Sequence, residues 1–178
     1  MEYLFRDLKS DEIDVRLATV KENGVSLLLY KDARVDQNIL DESFTPFGWQ
    51  RDHKELKGNI YCGISIYDKD KSEWVTKWDC GKESFSEAEK GEASDSFKRA
   101  GFNWGIGREL YTSPFIWISS DRCNIKEKSG KYYCNDNFYV EAIEITDKVI
   151  TGLAIRNKNV KNEKGLPARV FVYKKSEE

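Results

Sequence analysis

Two adjacent cations and a nearby aromatic residue, Lys98, Arg99 and Phe102, lie in a segment whose apolar residues recur at helical spacing. Proteins hold single-stranded DNA in cationic grooves that neutralise phosphates, with aromatic rings available for base stacking. These residue types therefore suit a DNA-binding site. A Lys-Arg pair on a helix is more often only a solvated face, and a single Phe is more often a core contact. The pattern by itself leaves both interpretations open.

The helix that would carry these residues is predicted to begin at a capping box formed by Ser86 and Glu89 and to end at the glycines that follow its last aromatic residue. Projection at about 100° per residue places Lys98 and Phe102 together on the flank of the helix and Arg99 nearly opposite the core. An apolar stripe should pack on a sheet, and it consists of Ala93, Phe97, Ala100 and Trp104.

The segment before this helix has the pattern of strands and one short helix. Apolar, β-branched residues flank Glu22-Asn23-Gly24, which tolerate positive φ, so a hairpin is predicted. A helical pattern follows, and then three strands with short connections, which predict an antiparallel meander. The predicted ranges are strands 13–20 and 25–30, a helix over 33–44, and strands 49–56, 59–67 and 73–80.

The fold class that follows is α+β, with an antiparallel meander on which a long helix packs and with extra strands at the C-terminal end. A chain of 178 residues, 39% of them apolar, is long enough for one core, so we expect a single domain over 1–178. The extra strands are predicted at 115–118, 131–134, 138–145, 149–155 and 169–173.

Composition restricts the function classes. The net charge is −2, so a DNA site has to be a local basic patch rather than a property of the whole chain. Four cysteines occur without a CxxC pair and His53 is the one histidine, so no zinc site and no other metal site is expected. No apolar run has the length of a signal or a membrane span, and we expect a cytoplasmic protein without membrane contact.

A long ordered pattern then points to a family. The sequence KGEASDSFKRAGFNWGIGRELY, over 90–111, resembles the signature helix of the Rad52-like single-strand annealing recombinases, close to their phage and bacterial branch. Segments further upstream resemble the family in the same order: 13–18 (IDVRLA), 30–35 (YKDARV) and 47–49 (FGW). The resemblance covers roughly residues 11–118, and we interpret this range as an annealing core and 119–178 as a β-rich C-terminal extension.

The resemblance implies a β-β-β-α core, a homo-oligomeric ring or filament, and a basic groove that holds single-stranded DNA with its bases outward. No cofactor and no catalytic residue are implied. The DNA-binding residues would be Arg16 on the first hairpin, Lys98 and Arg99 on the helix and, with less support, Arg34. Phe102 stands where eukaryotic members have a third arginine, so that phosphate contact would be missing or replaced by stacking. A basic second site for duplex DNA has no match in 112–118.

Other function classes remain as alternatives to ATP-independent annealing in recombination and repair. An ATP-driven recombinase is disfavoured, because neither GxxxxGK[ST] nor GxGxxG occurs. A Mg-dependent nuclease would use Glu55 and Lys57 near Asp52, since Mg²⁺ prefers oxygen ligands. A third alternative is a non-catalytic assembly module of a phage recombination complex. A single-stranded DNA-binding protein or an exonuclease would be a further partner.

Overall fold

In the part of the chain that the computed structural model describes, residues 4–81 and 88–175, the backbone forms two α-helices and eleven strands. All strand pairs are antiparallel, which confirms the predicted α+β class. The elements in chain order are β1 (Asp14–Lys21), β2 (Gly24–Tyr30), α1 (Ala33–Phe44), β3 (Trp49–Leu56), β4 (Asn59–Asp68), β5 (Glu73–Cys80), α2 (Ala88–Trp104), β6 (Ile116–Ser119), β7 (Ile125–Lys128), β8 (Lys131–Cys134), β9 (Phe138–Thr146), β10 (Val149–Lys161) and β11 (Pro167–Lys174).

The contacts within the chain define two compact units. The helical unit comprises residues 4–7 and 31–108, and the sheet unit comprises 8–30 and 109–175. The prediction of one domain over 1–178 stays a prediction. The predicted capping box at Ser86 and Glu89 lies outside the described residues and side chains.

The helical unit contains the predicted meander, in the order β3-β4-β5, and this part of the prediction is confirmed. Side chains alternate between the two faces of a strand, and in β4 Cys62, Ile64 and Ile66 are all buried on one face. The helix α2 packs on this sheet. The helix α1 begins at its N-cap Asp32, whose carboxylate accepts a hydrogen bond from the backbone amide of Arg34 at 2.8 Å.

The connection between β3 and β4 is a turn of only two residues. Lys57 and Gly58 both have positive φ, at 55° and 75°. Two successive residues of this kind form the turn whose twist matches that of the flanking strands. The register of β3 on β4 therefore continues without a bulge from Trp49 to Leu56.

The sheet unit contains a six-stranded sheet in the order β11-β10-β9-β1-β2-β6. The predicted hairpin of β1 and β2 lies within it, and β9 pairs with β1 at Asp14 and Tyr139. The extension strands β9, β10 and β11 thus continue the same sheet as the first hairpin. One face is apolar and buried, with residues such as Val25, Leu27 and Ile116.

Two details of the late strands differ from the sequence prediction. The strand β7 was not predicted separately and forms a small hairpin with β8. The strand β10 extends to Lys161, beyond the predicted end at Ile155. The second half of β10 is polar, so a hydropathy pattern does not indicate a strand there. This half nevertheless remains paired with β11. Asn157 in this half is fully buried and donates to the carboxylate of Asp136 at 2.7 Å.

No helix among the described residues combines the length and the apolar character needed to span a bilayer.

Candidate nucleic-acid interface

The apolar stripe of α2 fixes the helix on the meander, as predicted. Phe97 and Ala100 are buried, and the Phe97 ring stacks on Trp49 with its centroid 6.1 Å away. Trp104 donates from its indole nitrogen to the backbone oxygen of Ile64 at 2.9 Å. This hydrogen bond satisfies the polar atom of a large side chain that is otherwise packed on the sheet. The packing of α2 on the meander therefore fixes the positions of the residues on the other sides of the helix.

Lys98 and Arg99 are adjacent in sequence but face different elements. Arg99 was predicted to lie nearly opposite the core, and this was wrong. Its side chain is 37% exposed and its Nε lies 3.5 Å from Oδ1 of Asp79 on β5. The long side chain of arginine can reach back to the sheet from the flank of a helix, which a projection of Cα positions does not capture. One turn later Asn103 donates to the other oxygen of Asp79 at 3.2 Å.

On its opposite flank, α2 contacts a buried ion pair that is formed by α1 and the residue before its N-cap. Lys31 and Asp36 are both buried, and Lys31 Nζ donates to both carboxylate oxygens of Asp36. The ammonium group also lies 4.4 Å from the centroid of the Phe102 ring. An ammonium over an aromatic face is attracted by the ring quadrupole. One face of Phe102 is thus occupied by Lys31, and base stacking by Phe102 would have to use what remains of the ring.

The charge of Lys98 acts on two carboxylates at the start of α1, those of Asp32 and Asp36. Burial raises the pKa of Asp36 to about 6, against the opposing effect of the charges of Lys31 and Lys98. The pKa of Asp32 is lowered, mainly by the side-chain hydrogen bond from Arg34 and to a smaller extent by the charge of Lys98. Lys98 therefore lies within electrostatic range of the N-terminal turn of α1.

Arg34 is the most exposed of the predicted cations of the helical unit. Its side chain is 83% exposed, and its Nε donates to Oδ1 of Asp32 at 2.8 Å. An exposed ion pair of this kind contributes little to stability, because both charges are well solvated. Arg34 can therefore exchange this carboxylate for a phosphate at small cost.

Arg16 belongs to the sheet unit, unlike the other four predicted residues. It lies in β1, directly opposite Leu28 of β2, and its side chain is exposed. Among the described residues, no carboxylate forms an ion pair with it. The structure thus brings Lys98, Arg34 and Phe102 to the contact of α1 with α2, places Arg99 toward β5, and places Arg16 on a separate strand.

Sequence reasoning missed a set of cations that lie on aromatic rings around the meander. Lys54 lies 4.2 Å from the centroid of Trp78, and Lys77 lies 4.4 Å from that of Trp104. Lys77 and Arg108 also donate to the last carbonyl oxygens of α2, including that of Asn103 at 3.0 and 3.1 Å. Cations at a helix C-terminus compensate its dipole. For the cations at this helix end, the sequence signal was Arg108, which follows the last residue of α2.

The geometry of β3 disfavours the nuclease alternative. Asp52 and Glu55 are three residues apart in a strand of regular register, so their side chains lie on opposite faces. They cannot both ligate one metal ion from these positions. Within residues 4–81 and 88–175, no group of three or more His, Cys, Asp or Glu is arranged to hold a metal ion.

A comparison with protein families gives a match to one family model. The model described as Rad52/22 family double-strand break repair protein matches residues 2–129, well over half of the chain. The matched range includes all five residues that were predicted to bind DNA. No curated protein and no solved structure matches the chain.

Proposed function

The chain belongs to the Rad52/22 family of double-strand break repair proteins, and on this basis we propose that it binds single-stranded DNA and anneals complementary strands without ATP. Membership of the family gives the chain a role in DNA recombination and repair. The structural observation that carries the finer proposal is the position of Lys98. This cation lies on a helix that is fixed to a sheet, and its charge acts on Asp32, the carboxylate that accepts a hydrogen bond from the exposed Arg34.

The proposed mechanism uses contacts with the DNA backbone. Lys98, Arg34 and Arg16 bind phosphates, and Arg99 joins them when a phosphate replaces Asp79 as its partner. Phosphate contacts position a strand without reading its sequence, and they leave the hydrogen-bonding edges of the bases open to a complementary strand. Many weak contacts of this kind can be released as the duplex forms. The chain therefore needs no catalytic residue for this activity.

Assembly is part of the proposal. Each subunit offers only a few cations, so a strand gains affinity by contacting several subunits at once. We propose a homo-oligomer, either a ring or a filament, that acts in the cytoplasm. A single-stranded DNA-binding protein or an exonuclease would supply the strand. The relationship to the phage and bacterial branch stays a prediction.

The experiment is an annealing assay without nucleotide, with two complementary oligonucleotides that carry a fluorophore and a quencher. The wild type should accelerate quenching, and the double variant Lys98→Ala/Arg99→Ala should lose most of this acceleration. The matched control is Lys128→Ala/Lys164→Ala, which removes two exposed lysines outside the proposed site and should anneal like the wild type.

The mass of each variant, measured by light scattering, separates annealing from assembly. We expect the Lys98→Ala/Arg99→Ala variant to keep the oligomeric mass of the wild type. An unchanged annealing rate in this variant would instead support the non-catalytic assembly module.

A further inference from the structure

An exposed aromatic patch lies on the open face of the six-stranded sheet. It consists of Phe115, Trp117 and Leu28. Phe115 is 78% exposed and Leu28 is 47% exposed. The Phe115 and Trp117 rings are stacked, with an angle of 17° between their planes and 6.4 Å between their centroids. Large apolar side chains that are clustered and exposed mark a binding surface more often than a chance arrangement.

The strand register shows which side of the sheet this patch occupies. Leu27 of β2 pairs with Ile116 of β6, and both are buried. Their sequence neighbours therefore point to the opposite, open face. Trp117 pairs with Ser26 on that face. The indole ring packs closely on the neighbouring strand at Gly24: a Cβ on Gly24 would lie only 2.6 Å from Trp117 Cζ2.

Arg16 lies on the same open face as the aromatic patch. It is paired with Leu28 across the hairpin, so its side chain leaves the sheet beside that residue. The distance from β1 to β6 is two strand spacings, about 10 Å. Phe115 and Trp117 form no cation–π contact with a described cation, whereas Arg16 has no ion-pair partner among the described residues.

Beyond β1, the open face again carries aromatic and cationic side chains. Tyr139 of β9 pairs with Arg156 of β10, and Lys158 Nζ lies 5.4 Å from the Tyr139 centroid. Two carboxylates also lie on this side. Asp14 is exposed in β1, and Glu141 is held by arginines, including Arg156 at 2.6 Å.

We propose that the aromatic patch stacks unpaired bases of single-stranded DNA, while Arg16 binds the adjacent phosphate. This inference rests on the proposed function and adds a base-contacting element to it. An exposed aromatic ring stacks on any base, because every base has a π-face. A stacked base keeps its hydrogen-bonding edge at the perimeter, open to a complementary strand. Stacking on this patch is therefore compatible with annealing.

The test compares two strands that have the same number of phosphates. One is a fluorescein-labelled thymidine oligonucleotide, and the other is an abasic strand of equal length. The variant Phe115→Ala should bind the thymidine strand about tenfold more weakly than the wild type and should bind the abasic strand with unchanged affinity. The variant Phe115→Tyr keeps an aromatic ring and should bind both strands like the wild type.

The outcomes separate this inference from the proposed function. If the wild type binds neither strand, the proposed function fails and the stacking role fails with it. If the wild type binds both strands but Phe115→Ala leaves thymidine binding unchanged, or weakens both strands equally, the proposed function stands and base stacking is wrong. A change in oligomeric mass without a base-dependent loss would show that the patch is a contact between copies of this chain, and it would also overturn the inference.

Discussion

The backbone of Gly101 is in direct contact with the carboxylate of Asp36: a Cβ atom on Gly101 would overlap Oδ1 of Asp36. This contact sets how closely α2 approaches α1. The same carboxylate is held by Lys31, whose ammonium group covers the Phe102 ring. The position of the predicted DNA-binding flank of α2 therefore depends on an ion pair whose two side chains are buried.

Gly101→Ala should destabilise the fold, although alanine normally favours a helix more than glycine does. The added methyl group meets a buried carboxylate that Lys31 holds in place, so the helices have to separate. Overpacking of this kind costs about 1–3 kcal/mol. Urea unfolding measures it, with Ser94→Ala in the same helix as the control that should change stability little. Equal stability of Gly101→Ala and the wild type would show that α1 can shift freely.

Lys31→Met should cost more than the loss of an exposed ion pair. It leaves the Asp36 carboxylate buried without its cation, and removal of one partner of a buried pair costs about 3–5 kcal/mol. The double variant Lys31→Met/Asp36→Leu removes both charges and should recover most of the loss. Thermal unfolding of the three proteins measures this recovery. A double variant as unstable as the single one would contradict the role assigned to the pair.

The Asp36 carboxyl should also give the stability a specific pH dependence. Burial raises its pKa from 3.8 to about 6 in the folded state. Between these values the folded chain binds a proton that the unfolded chain does not, so this group's contribution to stability grows as the pH falls from 6 to 4 and is lost as the pH rises through 6. Urea unfolding at pH 4.5 and pH 7 should show this difference in the wild type. The same difference in Asp36→Asn would assign it to other groups.

Asp79→Asn should strengthen binding of single-stranded DNA, because Asp79 competes with phosphate for Arg99 at 3.5 Å. The pair is partly exposed, and release from such a pair corresponds to an increase in affinity of about two- to fivefold. Fluorescence anisotropy with a labelled oligonucleotide measures the change. Asp121→Asn, which removes an exposed carboxylate in the sheet unit, is the control for net charge. A gain of the same size in both variants would mean that only total charge matters.

The sequence was sufficient for elements whose ends have a local cause. The helix α1 was predicted over its observed range because its apolar residues recur at helical spacing and Pro46 follows it, and the meander was predicted because its turns contain residues such as Gly58. These signals involve neighbours along the chain. They needed no knowledge of the folded core.

Contacts between distant residues could not be predicted in the same way. The pairing of β9 with β1 joins Tyr139 to Asp14, and no local pattern specifies which strand a sheet will accept as a neighbour. The partner of Arg99 was missed for a related reason. A projection of the helix gives the direction of a side chain at its Cα, but Asp79 is reached only through the length of the arginine.

The most direct test of the central claim is the salt dependence of single-stranded DNA binding. The logarithm of the affinity of the wild type for a labelled oligonucleotide should fall linearly with the logarithm of the salt concentration, because phosphate contacts release counterions. Lys98→Ala should reduce the magnitude of this slope by about one for each subunit bound, since it removes one phosphate contact. Binding that is insensitive to salt, or a slope that Lys98→Ala leaves unchanged, would contradict a backbone-binding role for α2.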